Sequence, residues 1–164
     1  KELSEENAAQ TAKALNIIQP DFIRVHATGI KLESELGEFV RDGSFTLQSE
    51  EEIVIEQKLF LQQLHEMDSY YVNEHIVNLL LEVRGNLRTE KQEMLSTIDR
   101  FLTLPPDERL LFTVGRRLNI FFRLDDLKKP KLHQKAGESL QQILSKNPHV
   151  DFAALCNYVR QSQI

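Results

Sequence analysis

Residues 68–118 read DSYYVNEHIVNLLLEVRGNLRTEKQEMLSTIDRFLTLPPDERLLFTVGRRL, and the rest of the chain is organised around them. A short β-prone run, Tyr70 to Val72, is followed by a polar triplet and an apolar segment. Two helical patterns come next, from about Glu90 to Leu102 and from about Pro106 to Leu118, with apolar residues three, four and seven positions apart. Because Leu104-Pro105-Pro106 joins these two faces, the pattern predicts an antiparallel helix pair that other elements must cover.

The bulk composition is that of a globular protein. The chain has 164 residues, of which 41% are hydrophobic and 27% charged, which suffices for one domain with a real core. The formal net charge of -5 argues against nucleic acid as a general partner. A basic cluster formed by Arg116-Arg117, Arg123 and Lys128 to Lys131 leaves RNA contact open, although such runs are usually solvated faces.

The cysteine count and the apolar runs exclude several classes of protein. Cys156 is the one cysteine, so the chain has no intramolecular disulfide and holds neither a zinc finger nor an iron–sulfur cluster by itself. We expect Cys156 to be a small core residue. No apolar run reaches the length of a membrane span and no signal peptide is visible, so we expect a cytoplasmic protein without membrane contact.

Two short stretches favour strands, and each needs a neighbour. A helix from Ser4 to Gln19, capped by Ser4, carries a stripe of mostly small residues and ends at Pro20. The strongest strand pattern follows, from Asp21 to Ala27, and the other candidate is Ser69 to Val72. Because an isolated strand leaves its backbone groups unpaired, we expect these two to pair with each other or across two copies of the chain.

Further helices complete a mainly α (α+β) chain, a helical bundle with one or two short strands. Lys31 to Arg41 predicts a short helix, and Ser49 with Glu52 forms a capping box for a helix that runs to about Glu66. Thr89 and Gln92 have the same spacing before the first helix of the central pair. Two more helices are predicted, one from Leu132 to Asn147 and one capped by Asp151.

Three stretches resemble the C-terminal part of a radical SAM iron–sulfur enzyme, of the group related to oxygen-independent coproporphyrinogen oxidase. The first is LNIIQPDFIRV, residues 15–25, which resembles a late barrel helix and strand. The second is DGSFTL, residues 42–47, with the capped helix after it. The third runs from Asp68 through Gly85-Asn86-Leu87 to Phe112 and resembles the closing strand and C-terminal helices. The resemblance covers roughly Ser4 to Leu118 in one collinear order, and nothing comparable follows Leu132.

The resemblance implies a piece of a partial (β/α)6 barrel. Residues 1–82 would be the last α/β elements, residues 83–127 a capping helix pair and residues 128–164 a helical extension, together one compact unit. This fragment of an oxidoreductase would close the barrel and cap the substrate side without being catalytic itself. The 4Fe–4S cluster and S-adenosylmethionine would belong to the parent protein, because the family's Cys-x3-Cys-x2-Cys loop is absent here. The first residue, Lys1, also suggests a segment of a longer chain, although expression or processing gives the same appearance.

The resemblance also implies site residues. Arg24 and His26 would bind the cofactor in the parent protein, and Asn73, Glu74 and His75 would face the substrate where the family tends to have Ser-Asp-His. Each of these residues also has an interpretation without function. Arg24 would then face solvent, His26 would be hydrogen-bonded at a strand edge, and residues 73–75 would form a polar turn. Glu74-His75 is not a zinc motif, since no second histidine follows at helical spacing. Where the family has a Pro-Gly-Thr-Pro-Leu turn, this chain reads LESEL, residues 32–36, which predicts helix and puts cofactor contacts there in doubt.

Three functions are compatible with the residues. The first is the radical SAM fragment, whose partner would be the N-terminal core of the same protein. The second is a stand-alone helical interaction module. The third is a small RNA-contacting domain that uses the basic cluster. Without its barrel neighbours, the strand Asp21 to Ala27 would have an open edge, and a homodimer that pairs two such edges is a further expectation.

Overall fold

The structure, a computed structural model, describes residues 3–163. Lys1, Glu2 and Ile164, which the predicted ranges 1–82 and 128–164 include, lie outside the described residues. The helices are α1 (Ser4–Ile18), α2 (Glu35–Arg41), α3 (Glu50–Gln63), α4 (Lys91–Leu102), α5 (Pro106–Arg117), α6 (Pro130–Lys146) and α7 (Phe152–Ser162). The strands are β1 (Phe22–Arg24), β2 (Tyr70–Val72) and β3 (Gly85–Asn86), and a 3₁₀ turn (Leu124–Lys128) precedes α6. The predicted mainly α class with a small strand content is confirmed.

The sheet has the order β1-β2-β3, so β1 lies at one edge. β1 and β2 are parallel, with Ile23 opposite Tyr71, and β3 runs antiparallel to β2 with Gly85 opposite Tyr71. The two predicted strands therefore pair with each other. β3 was missed because Gly85-Asn86 reads as a turn, and its glycine has a φ of 150°.

The most extensive helix contact is between α1 and α3, which cover one face of the sheet. Ala8 and Ala12 are almost fully buried, and their small side chains allow α3 to approach closely, as the stripe predicted. The stripe does not continue to Ile18, which is 65% exposed. The reason lies in α3, which ends at Gln63 beside Asn16, whose side chain donates to the Gln63 carbonyl, so the last turn of α1 has no helix against it.

The predicted helix caps are partly right. The Ser49 hydroxyl accepts from the Glu52 amide and the Glu52 carboxylate accepts from the Ser49 amide, so the capping box before α3 is confirmed. The capping box predicted for Thr89 and Gln92 does not form. The N-cap position of α4 is Glu90, one residue later, and its side chain makes no capping hydrogen bond. Ser4 is not a cap either. It lies inside α1 and its hydroxyl donates to Glu56 on α3, so a tertiary partner replaces the local one.

The central helices α4 and α5 have different main partners. α4 packs mainly on α3, whereas α5 packs on α6 and α7. The Phe101 and Phe112 rings touch between α4 and α5, with centroids 5.9 Å apart, and Phe121 stacks on Phe112 at the same distance. The predicted face of α4 is buried at Met94, Ile98 and Phe101. On α5 the expectation of one buried side is wrong, because every residue from Leu111 to Arg117 is buried, and Leu118 after the helix is 43% exposed.

The predicted ranges are joined by contacts. β3 from range 83–127 completes a sheet whose other strands lie in range 1–82, and Arg160 from range 128–164 is ion-paired with Glu50. One apolar core runs from α1 through the sheet to α6. The division into three ranges stays a prediction, and Arg160 links α7 to α3.

Candidate functional site

Two histidines meet at the carboxyl ends of the parallel strands. His26 follows β1 and His75 follows β2, and their imidazole rings stack with centroids 4.2 Å apart. Sequence reasoning named both residues, for different roles, but did not pair them. In α/β folds, ligands bind outside the carboxyl ends of parallel strands, so this is the expected place for a site.

The stack changes the acid–base properties of His26. Desolvation lowers the pKa of this imidazole below its usual value, and repulsion from His75 and Arg24 lowers the pKa further. His26 is therefore mainly neutral near pH 7, and a neutral imidazole can accept a proton or a hydrogen bond.

Asn78 holds the two strand ends together. Its Oδ1 accepts from the Ala27 amide at 2.7 Å, and its Nδ2 donates to the Val25 carbonyl at 2.8 Å and to the Asn73 carbonyl at 3.3 Å. These bonds replace strand pairing beyond Arg24, which explains why β1 is shorter than the predicted run to Ala27. Asn78 was not among the predicted site residues. An isolated amide side chain within the apolar run 76–81 was the feature that could have indicated it.

The predicted triplet separates into different environments. Asn73 is buried, and its Nδ2 donates to the Leu80 carbonyl at 2.6 Å. Glu74 forms an ion pair with Arg84 at the surface. His75 turns toward His26, and its Nδ1 accepts from the Val77 amide at 3.4 Å. Of the triplet, His75 therefore makes a direct ring contact with His26, a second predicted site residue.

Arg24 lies on the face of the sheet that α1 and α3 leave uncovered. Alternation along β1 buries Ile23 under the helices and turns Phe22 and Arg24 to the other side, where both are exposed.

A cavity of about 460 Å³ opens beside the strand ends, between α1, α3 and the sheet. His26, Asn73 and Asn78 line it, as do the buried Tyr71 ring and Arg160 from α7. Arg24, Glu74 and His75 are not among its lining residues. The Tyr71 hydroxyl accepts from Gln57 at 3.0 Å, and burial raises the pKa of Tyr71, so its phenol stays protonated at neutral pH.

A buried ion cluster was missed by sequence reasoning. The Glu50 carboxylate accepts from Arg117 at 2.5 Å and 3.1 Å and also binds Arg160, and each of these three residues is at most 5% exposed. Arg116 is fully buried beside them, donates to the Ile76 carbonyl and lies over the Phe122 ring. Desolvation, with repulsion from Arg117, lowers the pKa of Arg116 to about 10.

This burial rules Arg116 and Arg117 out as an RNA surface. Both guanidinium groups are inside the protein, so neither can reach a phosphate backbone, and the alternative of a solvated face is wrong for these two residues as well. Cys156 lies near the same cluster and is 2% exposed, as predicted for a core residue. Burial, assisted by the charge of Glu50, raises the pKa of its thiol to about 12, so it is a poor nucleophile.

The described residues do not fit an iron–sulfur cluster. The family loop supplies three cysteine ligands, whereas this chain has one cysteine, buried in the core. Among residues 3–163 no group of three or more His, Cys, Asp or Glu side chains is placed to bind a metal ion. Nor does any helix within that range have the length and apolarity needed to cross a membrane.

The chain has no match among known proteins by any of three comparisons: family models, curated proteins and solved structures.

Proposed function

We propose that this chain is the C-terminal part of a radical SAM iron–sulfur protein. In this role it closes a barrel begun by the preceding part of the same protein and caps the substrate side. Catalysis belongs to the preceding part, which would carry the cluster and S-adenosylmethionine, and the chain by itself is inactive.

The observation that carries the proposal is the parallel pairing of β1 and β2. The order α1-β1-α2-α3-β2 is that of consecutive units in a β/α barrel, in which each strand is followed by helix and the helices cover one face. Two parallel strands are seldom stable on their own, because parallel sheets are normally larger and covered by helices. β1 has no partner on its outer side among residues 3–163, and a preceding barrel strand fits that edge.

Several large apolar side chains on or next to α1 and β1 are exposed. Leu3, Ile17, Ile18 and Phe22, on α1 and β1 or next to them, are 65% to 78% exposed. Soluble proteins rarely leave several large apolar side chains so open within one segment. A preceding barrel unit, packed on α1 and β1, would bury them.

The predicted site residues have matching positions in this arrangement. The uncovered face of the sheet would become the barrel interior, so Arg24 would point into it and could bind the carboxylate of a cofactor. His26, Asn73 and His75 lie at the carboxyl ends of the strands, where barrel enzymes build their sites, whereas Glu74 is tied to Arg84 beside them.

The test is to read the parent gene upstream of Lys1 and to purify its full product without oxygen. We expect a Cys-x3-Cys-x2-Cys triplet roughly two hundred residues upstream, about the length of the missing barrel. The purified protein should show the absorption of a 4Fe–4S cluster and cleave S-adenosylmethionine reductively to 5′-deoxyadenosine. An initiator Met directly before Lys1, or a full product that binds no cluster, contradicts the proposal.

The same exposed residues favour one alternative, a stand-alone helical interaction module. In that case the apolar surface at Ile17, Ile18 and Phe22 would bind a separate protein or a second copy. The upstream gene sequence distinguishes the two functions, because an interaction module does not require a cysteine triplet there. A dimer of the isolated chain that is lost on replacing Phe22 by Lys would favour the homodimer.

A further inference from the structure

The cavity between α1, α3 and the sheet has features of a small-molecule site. Its volume of about 460 Å³ lies in the range of sites for metabolite-sized ligands. Its lining is mainly apolar and includes Ile30, Val54, Phe60 and Leu79. Polar side chains interrupt this surface, among them Thr11, Gln57 and Asn73, and such a lining suits a ligand that combines an apolar body with polar groups.

Arg160 provides the charged end of the cavity. Its side chain is 2% exposed, so it has lost almost all of its water. Its Nη1 binds Glu50, but its Nε has no hydrogen-bond partner within residues 3–163. A buried guanidinium donor without a partner costs free energy. Because Arg160 also lines the cavity, an anion bound there would stabilise the charge of this guanidinium.

The charge around Arg160 is positive in sum. Within residues 3–163, Glu50 is the one carboxylate paired with both Arg117 and Arg160. Arg116 lies beside them, and its Nε and Nη1 have no partner in the same range. Three arginines around one glutamate leave an uncompensated positive charge in a region of low dielectric. That charge favours an anion over a neutral acceptor.

The opposite wall does not cancel this preference. Glu56 also lines the cavity, but its carboxylate accepts hydrogen bonds from Ser4, Asn7 and Gln48. Those bonds lower the pKa of Glu56 although burial opposes them, so its charge is already solvated by the protein. The two walls therefore differ. The Glu56 carboxylate has hydrogen-bond partners, whereas the Nε of Arg160 has none within residues 3–163.

The wall near Arg160 is held in place by α7. Asn157 accepts from the Ile30 amide at 2.9 Å and donates to the Ile30 carbonyl at 3.0 Å, which fixes the loop after β1 against this helix. The cavity is thus bounded by elements distant in the chain and is preorganised, a property that reduces the cost of binding.

We propose that this cavity binds a small amphipathic anion, with a carboxylate or phosphate directed at Arg160 and an apolar body between α1 and α3. This site is built from the present chain alone. It therefore goes beyond the proposed barrel role and holds or fails independently of it.

The first experiment uses the 164-residue chain with two probes of matched shape, 2-naphthoate and 2-naphthalenemethanol. Amide chemical shifts are followed by NMR during titration. We expect 2-naphthoate to shift the amides of Val25 to Thr28 and of Tyr71, and to bind about tenfold more tightly than the alcohol, as for one added charge-assisted hydrogen bond. Equal affinities, or shifts confined to the exposed residues Ile17, Ile18 and Phe22, overturn the proposal.

Two matched pairs of variants locate the site. Thr11→Phe fills the cavity from the exposed side of α1 and should abolish binding of both probes, whereas Lys13→Phe, on the same helix but outside the lining, should leave binding unchanged. Arg160→Met should remove the preference for the anion. Arg117→Met removes an arginine of the same ion cluster that does not line the cavity, so the preference should fall less than in Arg160→Met.

The outcome stays decisive if a buried arginine variant fails to fold. The Thr11→Phe and Lys13→Phe pair changes exposed positions, and the two-probe comparison needs only the unaltered chain. Unchanged binding in Thr11→Phe, or an anion preference that survives Arg160→Met, overturns the proposal.

Discussion

Glu50 is the residue on which the interior depends most. Its carboxylate is the contact that Arg117 and Arg160 share, and all three side chains are almost without solvent. Removing one member of such a buried cluster leaves uncompensated charge, whereas an exposed pair contributes little. In the sequence Glu50 is the first of three consecutive glutamates after Ser49, and nothing in that run indicates that it is buried.

Replacing Glu50 by Gln should lower the free energy of unfolding by about 3–5 kcal/mol, since two buried guanidinium groups lose their counter-charge. Urea unfolding followed by circular dichroism measures the loss. Asp68→Asn is the matched control, because it removes the carboxylate of an exposed pair with Arg88 and should change stability very little. A Glu50→Gln variant as stable as the unaltered protein would contradict the described cluster.

His26 should make stability depend on pH. Its pKa is lowered in the folded state, so the unfolded chain takes up a proton first as the pH falls. The contribution of His26 is therefore fully present above the unfolded pKa of about 6.5 and is lost as the pH falls through the folded pKa. His26→Asn should reduce the stability difference between about pH 5 and about pH 8.

Urea unfolding at the two pH values measures that difference, and His149→Asn serves as the control for loss of a histidine outside the stack. An NMR titration of the His26 ring protons gives the folded pKa directly. A pKa at or above the usual histidine value would contradict the desolvation of His26 and its repulsion by His75 and Arg24.

At the scale of elements, the two capping-box spacings show that one sequence pattern can have two structural outcomes. Ser49 and Thr89 have the same spacing to a glutamate or glutamine, but only the Ser49 box forms. Ser49→Ala should therefore cost about 1 kcal/mol of stability, while Thr89→Ala should cost almost nothing. Thermal unfolding of the two variants side by side checks this, and equal losses would mean that α4 begins at the position the sequence predicted.

Two helical glycines have opposite surroundings. A Cβ at Gly115 on α5 would stand 2.3 Å from the buried Phe121 ring, whereas a Cβ at Gly137 on α6 meets nothing within 4 Å. Gly115→Ala should destabilise by about 1–3 kcal/mol through overpacking. Gly137→Ala should stabilise by up to about 1 kcal/mol, because alanine is the better helix former. Urea midpoints measure both, and a stable Gly115→Ala variant would contradict the close approach of Phe121.

The elements themselves were largely predictable, because periodicity and breakers are local. The Pro20, Pro105-Pro106 and Asn147-Pro148 boundaries all lie close to helix ends. Helix capping was less predictable. The Ser4 hydroxyl does not cap α1 but donates a hydrogen bond to Glu56 on α3. Local preference decides an element only where no tertiary partner competes for the same group.

For the whole molecule, α7 is the element that joins the C-terminal region to the cavity. Removing residues 151–164 deletes Arg160 from the ion cluster and Asn157 from the loop after β1. We expect a marked fall in the urea midpoint and faster hydrogen exchange at the Ile30 amide. Asn157→Ala is the control, since it should speed exchange at Ile30 while the ion cluster stays intact. A truncated chain of unchanged stability would contradict this role.

The sequence alone determined the mainly α class, most helix boundaries, the strand at Phe22 and the histidines at the two strand ends. These follow from spacing and residue type within a few turns of chain. The tertiary structure alone decided that β1 and β2 pair in parallel, that His26 stacks on His75, and that Arg116 and Arg117 are buried instead of forming a surface. It also placed Arg160, 110 positions from Glu50, beside the cavity. The physical reason is that burial and pairing depend on which distant segments meet, and side-chain charge by itself carries no information about that.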